Sequence, residues 1–177
     1  MTNISPQALN KSSPEHTRII HLYGLFMITW SILESVVQAA IMKQLGGSPT
    51  KAVITTGKLQ FHPRIQLLIS LMKHNNNTRD EEAIKLLNKM EGFAHRNTIV
   101  HGLVIVGDPQ KITFLKCDGA VSISQNFTAE NMTKHVLGLN ERIEKLKNLL
   151  DVSDADTQLI ADAALSLAKN SSNSEKK

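Results

Sequence analysis

Ala94-His95-Arg96-Asn97-Thr98-Ile99-Val100-His101-Gly102 closes the most regular helical pattern in the chain. Upstream of it, Leu87, Met90, Ala94, Asn97 and His101 recur at three- and four-residue steps, so the spacing predicts a helix that carries them all on one side. Asn97 and His101 then continue an apolar stripe instead of standing on the solvated back. Polar groups in such a place are expected to be buried and to need partners. Arg96 lies beside the stripe, three residues past Phe93. The stretch is also complete as helix-ending chemistry. A His in the last turn suits the negative end of the helix dipole, Gly102 suits a left-handed cap, and Glu91 or Glu82 can pair with Arg96.

The chain has 177 residues, enough for one domain with a real core. Aromatic residues make up only 4%, too few for a platform that stacks single-stranded bases. The single Cys117 excludes a disulfide framework and a cysteine zinc site, and it fits a reducing compartment. A net charge of +4 is compatible with a polyanionic partner without demanding one. Residues 1–13 are polar, lack a signal-peptide pattern and are expected to be loose. The most apolar run, Leu22 to Leu33, is short for a membrane span and is followed by Glu34 and Gln38, so no membrane association and a cytoplasmic location are expected.

Ser13-Pro14-Glu15 reads as a helix start, with the helix running to about Leu45 before Gly46-Gly47. Ile19, Leu22, Phe26, Trp30, Leu33, Val37, Ala40 and Ile41 give it a wide apolar stripe, suited to a bundle core or a dimer seam. Glu34 falls on the apolar side, where a carboxylate is costly unless paired. It is either a stripe-edge residue reaching water or a group that orients Arg96 or His101 from a neighbouring helix. Ser48-Pro49 starts a short helix to about Thr56, and Gly57 ends it. Phe61-His62-Pro63 reads as a turn, followed by a helix from Pro63 to Lys73 with Ile65, Leu68, Ile69 and Met72 inward. Thr78 and Glu81 form a capping box that opens the motif-bearing helix.

After Gly102 the period changes. Leu103 to Val106, Ile112 to Cys117 and Ala120 to Gln125 read as strands, with turns at Gly107-Asp108-Pro109 and Asp118-Gly119. A small antiparallel meander over about 103–125 follows, either as a packing flap or as a wall of the site. Thr128 caps a long helix with Met132, His135 or Val136, Leu139, Ile143, Leu146 and Leu150 inward. Asp151 to Asp156 looks like half a calcium loop but lacks the Gly and the distal Glu, and Ser153 or Asp154 capping a last helix to about Lys169 explains it better. Residues 170–177 read as a polar tail. The seven His form no i,i+4 metal pair and no H-E-x-x-H, so no metal is expected. A serine elbow and a phosphate-binding glycine loop are equally absent from the sequence.

The run R-N-T-I-V-H resembles the Arg-x4–6-His motif of the HEPN superfamily, all-helical domains that include many metal-independent RNases. Arg96 and His101 match the pair, and Asn97 matches the polar companion behind the Arg. The resemblance implies a mainly α, up-and-down helical bundle spanning residues 14–169, here with the β-meander added after the motif helix. It implies Arg96, Asn97 and His101 as catalytic residues, with Glu34 and His95 in support. His95 points about 100° from Arg96 around a helix and is read as a surface residue.

RNA carries its own nucleophile, the 2′-hydroxyl. Imidazole can take its proton, imidazolium can protonate the leaving 5′-oxygen, and Arg can grip the crowded phosphate. No metal or cofactor enters, cyclic-phosphate ends result, and DNA is inert. Arg96 and His101 lie about 140° apart on a helix. The resemblance therefore implies a homodimer, paired through the first and motif-bearing helices, with both motifs in one cleft. Family-level expectations are a toxin or phage-defence effector, an RNA substrate and an antitoxin or regulatory protein as partner. The alternatives are an inactive HEPN-like module that binds a protein or nucleotide, and a structural bundle in which RNTIVHG only ends a helix.

Overall fold

A computed structural model describes residues 14–75, 80–90, 92–93, 96–108, 110–118 and 121–174. In chain order these form α1 (Pro14–Gln44), α2 (Pro49–Thr56), α3 (Phe61–Asn75), α4 (Asp80–Met90), α5 (Arg96–His101), β1 (Leu103–Asp108), β2 (Lys111–Asp118), β3 (Val121–Thr128), α6 (Ala129–Leu149) and α7 (Asp154–Ser174). The protein is mainly helical, with a small antiparallel sheet after the motif, as the periodicity predicts. It divides into two compact units, one from residues 1–29 and 92–140, the other from residues 30–91 and 141–177. The long helices α1 and α6 each contribute to both.

The first unit is built on the sheet, whose strands lie in the order β1-β2-β3. Alternation decides which side is buried. Ile112 and Phe114 of β2 and Phe127 of β3 are buried on one face, while Ser122, Ser124 and Asn126 of β3 are exposed on the other. Val104 pairs with Phe114, and Ile112 with Phe127. Phe114 is the hub, its ring 5.4 Å from Tyr23 of α1 and 5.6 Å from Phe127. Burying such a ring stabilises by about 1.5–3 kcal/mol. Asp118 of β2 pairs with Val121 of β3, and Gly119 of the expected Asp118-Gly119 turn lies outside the described residues. The β1–β2 register slips by one residue between Ile105 and Asp108.

The second unit is helical. Leu33, Val37 and Ile41 of α1, Ile65, Leu68 and Met72 of α3, Leu87 and Met90 of α4, and Ile143 and Leu146 of α6 are buried. Trp30 meets Phe61 edge-on at 4.9 Å. α1 ends in a Schellman motif: Gly46 and Gly47 have φ of +83° and +84°, the Gly47 amide donates to Met42 O at 2.9 Å, and the Gly46 amide donates to Lys43 O at 3.2 Å. Ser48 caps α2, its hydroxyl accepting from the Lys51 amide at 3.4 Å. Ser153 caps α7 in a reciprocal pair with Asp156: the Asp156 amide donates to Ser153 Oγ at 3.2 Å, and the Ser153 amide donates to Asp156 Oδ2 at 2.7 Å. In the first unit, Thr128 caps α6 by accepting from the Asn131 amide at 3.2 Å.

Three expectations are corrected. The single helix predicted from the Thr78 cap to His101 is two helices, because Gly92 lies in a turn and Phe93 in a short 3-10 turn. Gly inside a helix costs about 1 kcal/mol, and Phe93 makes its own edge-on contact with His135 at 6.0 Å. α3 starts at Phe61, so His62 and Pro63 occupy its first turn, where a missing N–H costs nothing. α7 continues through Ser174, into the stretch expected as tail. Separately, α1 as a whole is long and apolar enough to cross a membrane by length and composition, a test that buried core helices also pass, and 56% of its apolar window is buried within the protein. The Thr78 cap and the loose residues 1–13 lie outside the described residues.

Candidate functional site

The motif occupies α5, only six residues long. A helix so short does not hold itself together, since nucleation is unfavourable and few bonds repay it. Tertiary anchors hold this one. Thr98 and Ile99 are buried at 8% and 0% exposure, the Gly102 amide donates to Thr98 O at 2.8 Å, and the helix packs on β2. Gly102 is required by close approach. A Cβ there would run into Thr98 O and lie 3.2 Å from Leu115 O of β2. The expected left-handed cap is not what it provides: among the described glycines, positive φ occurs at Gly46 and Gly47.

His101 is exposed at the end of α5. This corrects the expectation of a buried His101 on an apolar stripe. The break at Gly92 restarts the helix in a new phase, and Thr98 and Ile99 become its inward face. The backbone of Arg96 and Asn97 forms the first turn of α5. The side chains of both lie outside the described part, as does all of His95.

Glu34 belongs to the second unit. It is half-buried and paired there: its carboxylate accepts from Trp30 Nε1 at 3.1 Å and from Arg64 Nη1 at 3.2 Å. Arg64 also donates through Nε to Thr56 O at 3.2 Å, at the end of α2. The buried Thr56 hydroxyl accepts from Gln38 Nε2 at 2.8 Å and donates to Ala52 O at 2.7 Å. The half-buried carboxylate therefore has the partner its position demands, and the network ties α1, α2 and α3 together. Sequence reasoning singled out Glu34 but missed Arg64. The available signal was one Arg in the first turn of a helix whose next turns are Ile65, Leu68 and Ile69.

A groove of about 660 Å³ lies in the first unit, lined by Glu15, Arg18, Gln110, Thr128, Ala129, Glu130, Thr133 and Lys134. Its charges are paired among themselves, Arg18 with Glu15 at 3.9 Å and Lys134 with Glu130 at 2.6 Å. The Lys134 ammonium holds the Glu130 carboxyl below its ordinary value. His101 is not among the described residues that line the groove. Among the described residues, no group of three or more His, Cys, Asp or Glu is placed to hold a metal ion. No family model, curated protein or solved structure matches the chain.

Proposed function

We propose that this protein is a metal-independent endoribonuclease of the HEPN type, active as a homodimer. The observation that carries the reading is the exposed imidazole of His101 at the end of α5, five residues after Arg96 on the same helix. An exposed imidazole can reach a phosphodiester, which a buried one cannot. His101 takes the 2′-hydroxyl proton or protonates the leaving 5′-oxygen, and Arg96 neutralises the phosphate as the cyclic phosphate forms. Two copies supply one His101 for each proton transfer.

RNA incubated with the protein in EDTA tests this. Fragments ending in cyclic phosphate are expected, DNA of the same sequence stays intact, and His101→Ala loses at least about 100-fold in rate, the usual weight of one acid–base group. Arg96→Ala falls comparably. RNA left intact at micromolar protein, or equal cleavage by wild type and His101→Ala, overturns the proposal.

A second reading, a HEPN-like module that binds a protein or nucleotide without catalysis, is favoured by a different observation. The groove of the first unit does not have His101 among its described lining residues, and Glu34 is engaged by Arg64. Intact RNA together with saturable nucleotide binding that Arg18→Ala weakens is the result that selects it.

A further inference from the structure

The positive charge of this protein is gathered in one stretch. Between Glu34 and Asp80 the chain has no acidic residue, while Lys43, Lys51, Lys58, Arg64, Lys73 and Arg79 all fall there. The other fourteen Lys and Arg stand against all sixteen Asp and Glu, so the rest of the chain is slightly negative. An evenly spread charge of +4 says little about partners. One concentrated on α2, α3 and their flanks marks a surface.

The fold uses two of these cations. Lys43 stands 3.2 Å from Asp151 and 3.4 Å from Asp156, and Arg64 reaches Glu34. Arg79 lies outside the described residues. Lys51, Lys58 and Lys73 are exposed, and none of them has an ion-pair partner among the described residues. Elsewhere Lys85, Lys111, Lys134, Lys145 and Lys147 each hold a carboxylate at 3.7 Å or closer. α7, which packs on α2, carries Asp154, Asp156 and Asp162, but these accept from Lys147, Ser153 and Gln158.

Gly57 keeps helical dihedrals past the end of α2, φ −59° and ψ −32°. Lys58 therefore follows Lys51 on the same side, two turns or roughly 10 Å along, with the exposed Thr55 between them. Gln66, Ser70 and Lys73 repeat this four-and-three spacing on the exposed side of α3. Both stripes offer cations and uncharged polar groups with no carboxylate among them.

We infer that Lys51, Lys58 and Lys73 form a face that holds RNA by its phosphates. Lysine is a point charge suited to phosphate, and such contacts position a strand without reading its sequence. Bases find no stacking platform here, because Phe61, the one Phe, Tyr or Trp of residues 49–75, is buried. A bilayer surface fits less well, since it needs an apolar strip beside the charges and Ile54 is the one large apolar residue of 49–75 that stands exposed. The inference adds a place of attachment to the proposed RNase and rests on that reading for the identity of the strand.

The experiment is fluorescence anisotropy of a 2′-O-methylated RNA, which lacks the nucleophile and stays whole, with the full chain across salt concentrations. In the variant combining Lys51→Gln, Lys58→Gln and Lys73→Gln, the slope of log affinity against log salt is expected to fall by about 2. Wild type then loses roughly twentyfold more affinity than the variant between about 50 and 200 mM salt. DNA of the same sequence is expected to compete, because the face grips phosphates and not the 2′-position. Lys85→Gln, Lys111→Gln and Lys145→Gln together remove the same charge from lysines that carboxylates already hold, and keep the wild-type slope. Equal losses in the two variants would reduce the effect to net charge and overturn the face. So would a wild type that binds no RNA, including one that binds phosphatidylserine vesicles instead. With cleavable RNA, the first variant is expected to raise KM and leave kcat unchanged. Binding through these lysines with no cleavage keeps the face and removes the RNase, and cleavage with an unchanged KM does the reverse.

Discussion

Arg64 Nη1 stands 3.2 Å from Glu34 Oε2, joining two side chains that are only 14% and 29% exposed. Removing one partner of such a pair strands the other, which costs more than the pair itself contributes. Glu34→Ala and Arg64→Ala are each expected to destabilise by about 1–3 kcal/mol, and the double variant by less than the sum. Urea titration of the cycle measures it. Additive losses would mean that the two residues act separately. If Glu34 served the motif alone, Glu34→Ala would lower RNA cleavage with no change in the urea midpoint.

His101 offers the opposite profile. Exposed side chains contribute within about 0.5 kcal/mol of nothing to stability, so His101→Ala is expected to melt with wild type while losing cleavage. A fall of several degrees in melting temperature would instead mark it as a helix-ending residue.

Gly102 distinguishes a conformational glycine from a spatial one. Asn tolerates the left-handed region, so a left-handed cap would accept Gly102→Asn better than Gly102→Ala. The approach of Thr98 O and Leu115 O predicts that both are severe, by about 2 kcal/mol or more, because any Cβ meets backbone oxygens that cannot move aside. Thermal melts of the two variants decide the matter.

At Asp151 the prediction reverses. It is a non-glycine residue with φ of +52°, placed where the chain turns out of α6, and the Val152 amide donates to Lys147 O at 2.9 Å. Asp151→Gly is expected to be more stable than Asp151→Ala by about 1 kcal/mol, read as the difference in urea unfolding free energy. Lys43, which bonds to the Asp151 carbonyl, keeps that contact in both variants. Equal stability would show that the backbone strain is absorbed elsewhere.

The same corner predicts a pH dependence. Asp156 is held below the ordinary carboxylate value, first by the Ser153 amide and hydroxyl and then by Lys43. Its contribution is complete above about pH 4, the unfolded value, and is lost as pH falls through the lower folded value. Burial pulls the Lys43 ammonium down, but Asp151 and Asp156 outweigh it and its value is raised. That contribution is complete below about pH 10.4 and is lost as pH rises through the folded value. Ser153→Ala is expected to cost about 0.5–2 kcal/mol at neutral pH and to flatten the acid limb of a stability profile. An unchanged acid limb would remove the cap from the explanation.

Much of this fold was legible because its signals are local. Ser48, Thr128 and Ser153 cap helices through bonds to amides three residues on, and a strand period followed by a turn is written in adjacent residues. The break at Gly92 was not legible by periodicity. The three- and four-residue spacing runs straight through it, and a penalty of about 1 kcal/mol is decided by what Phe93 finds to pack on. That break alone reverses the environment of His101, since a restarted helix turns a different face inward. The ion pair of Glu34 with Arg64 joins residues thirty positions apart, which no local pattern reports. Of the candidate site, then, the sequence carried the motif and its helix, while the exposure of His101 came from the packing of Thr98 and Ile99.

Neither compact unit is a continuous piece of chain, because each is assembled from two separate stretches. The sheet that follows the motif packs on Tyr23, encoded some seventy residues earlier in a helix that the other unit also uses. A gene fragment covering residues 92–140 would carry every residue of the motif and still lack the wall against which Phe114 packs. The motif therefore cannot travel as a cassette by recombination or be trimmed to a minimal fragment. A fragment that keeps the motif's unit must also carry the first turns of α1.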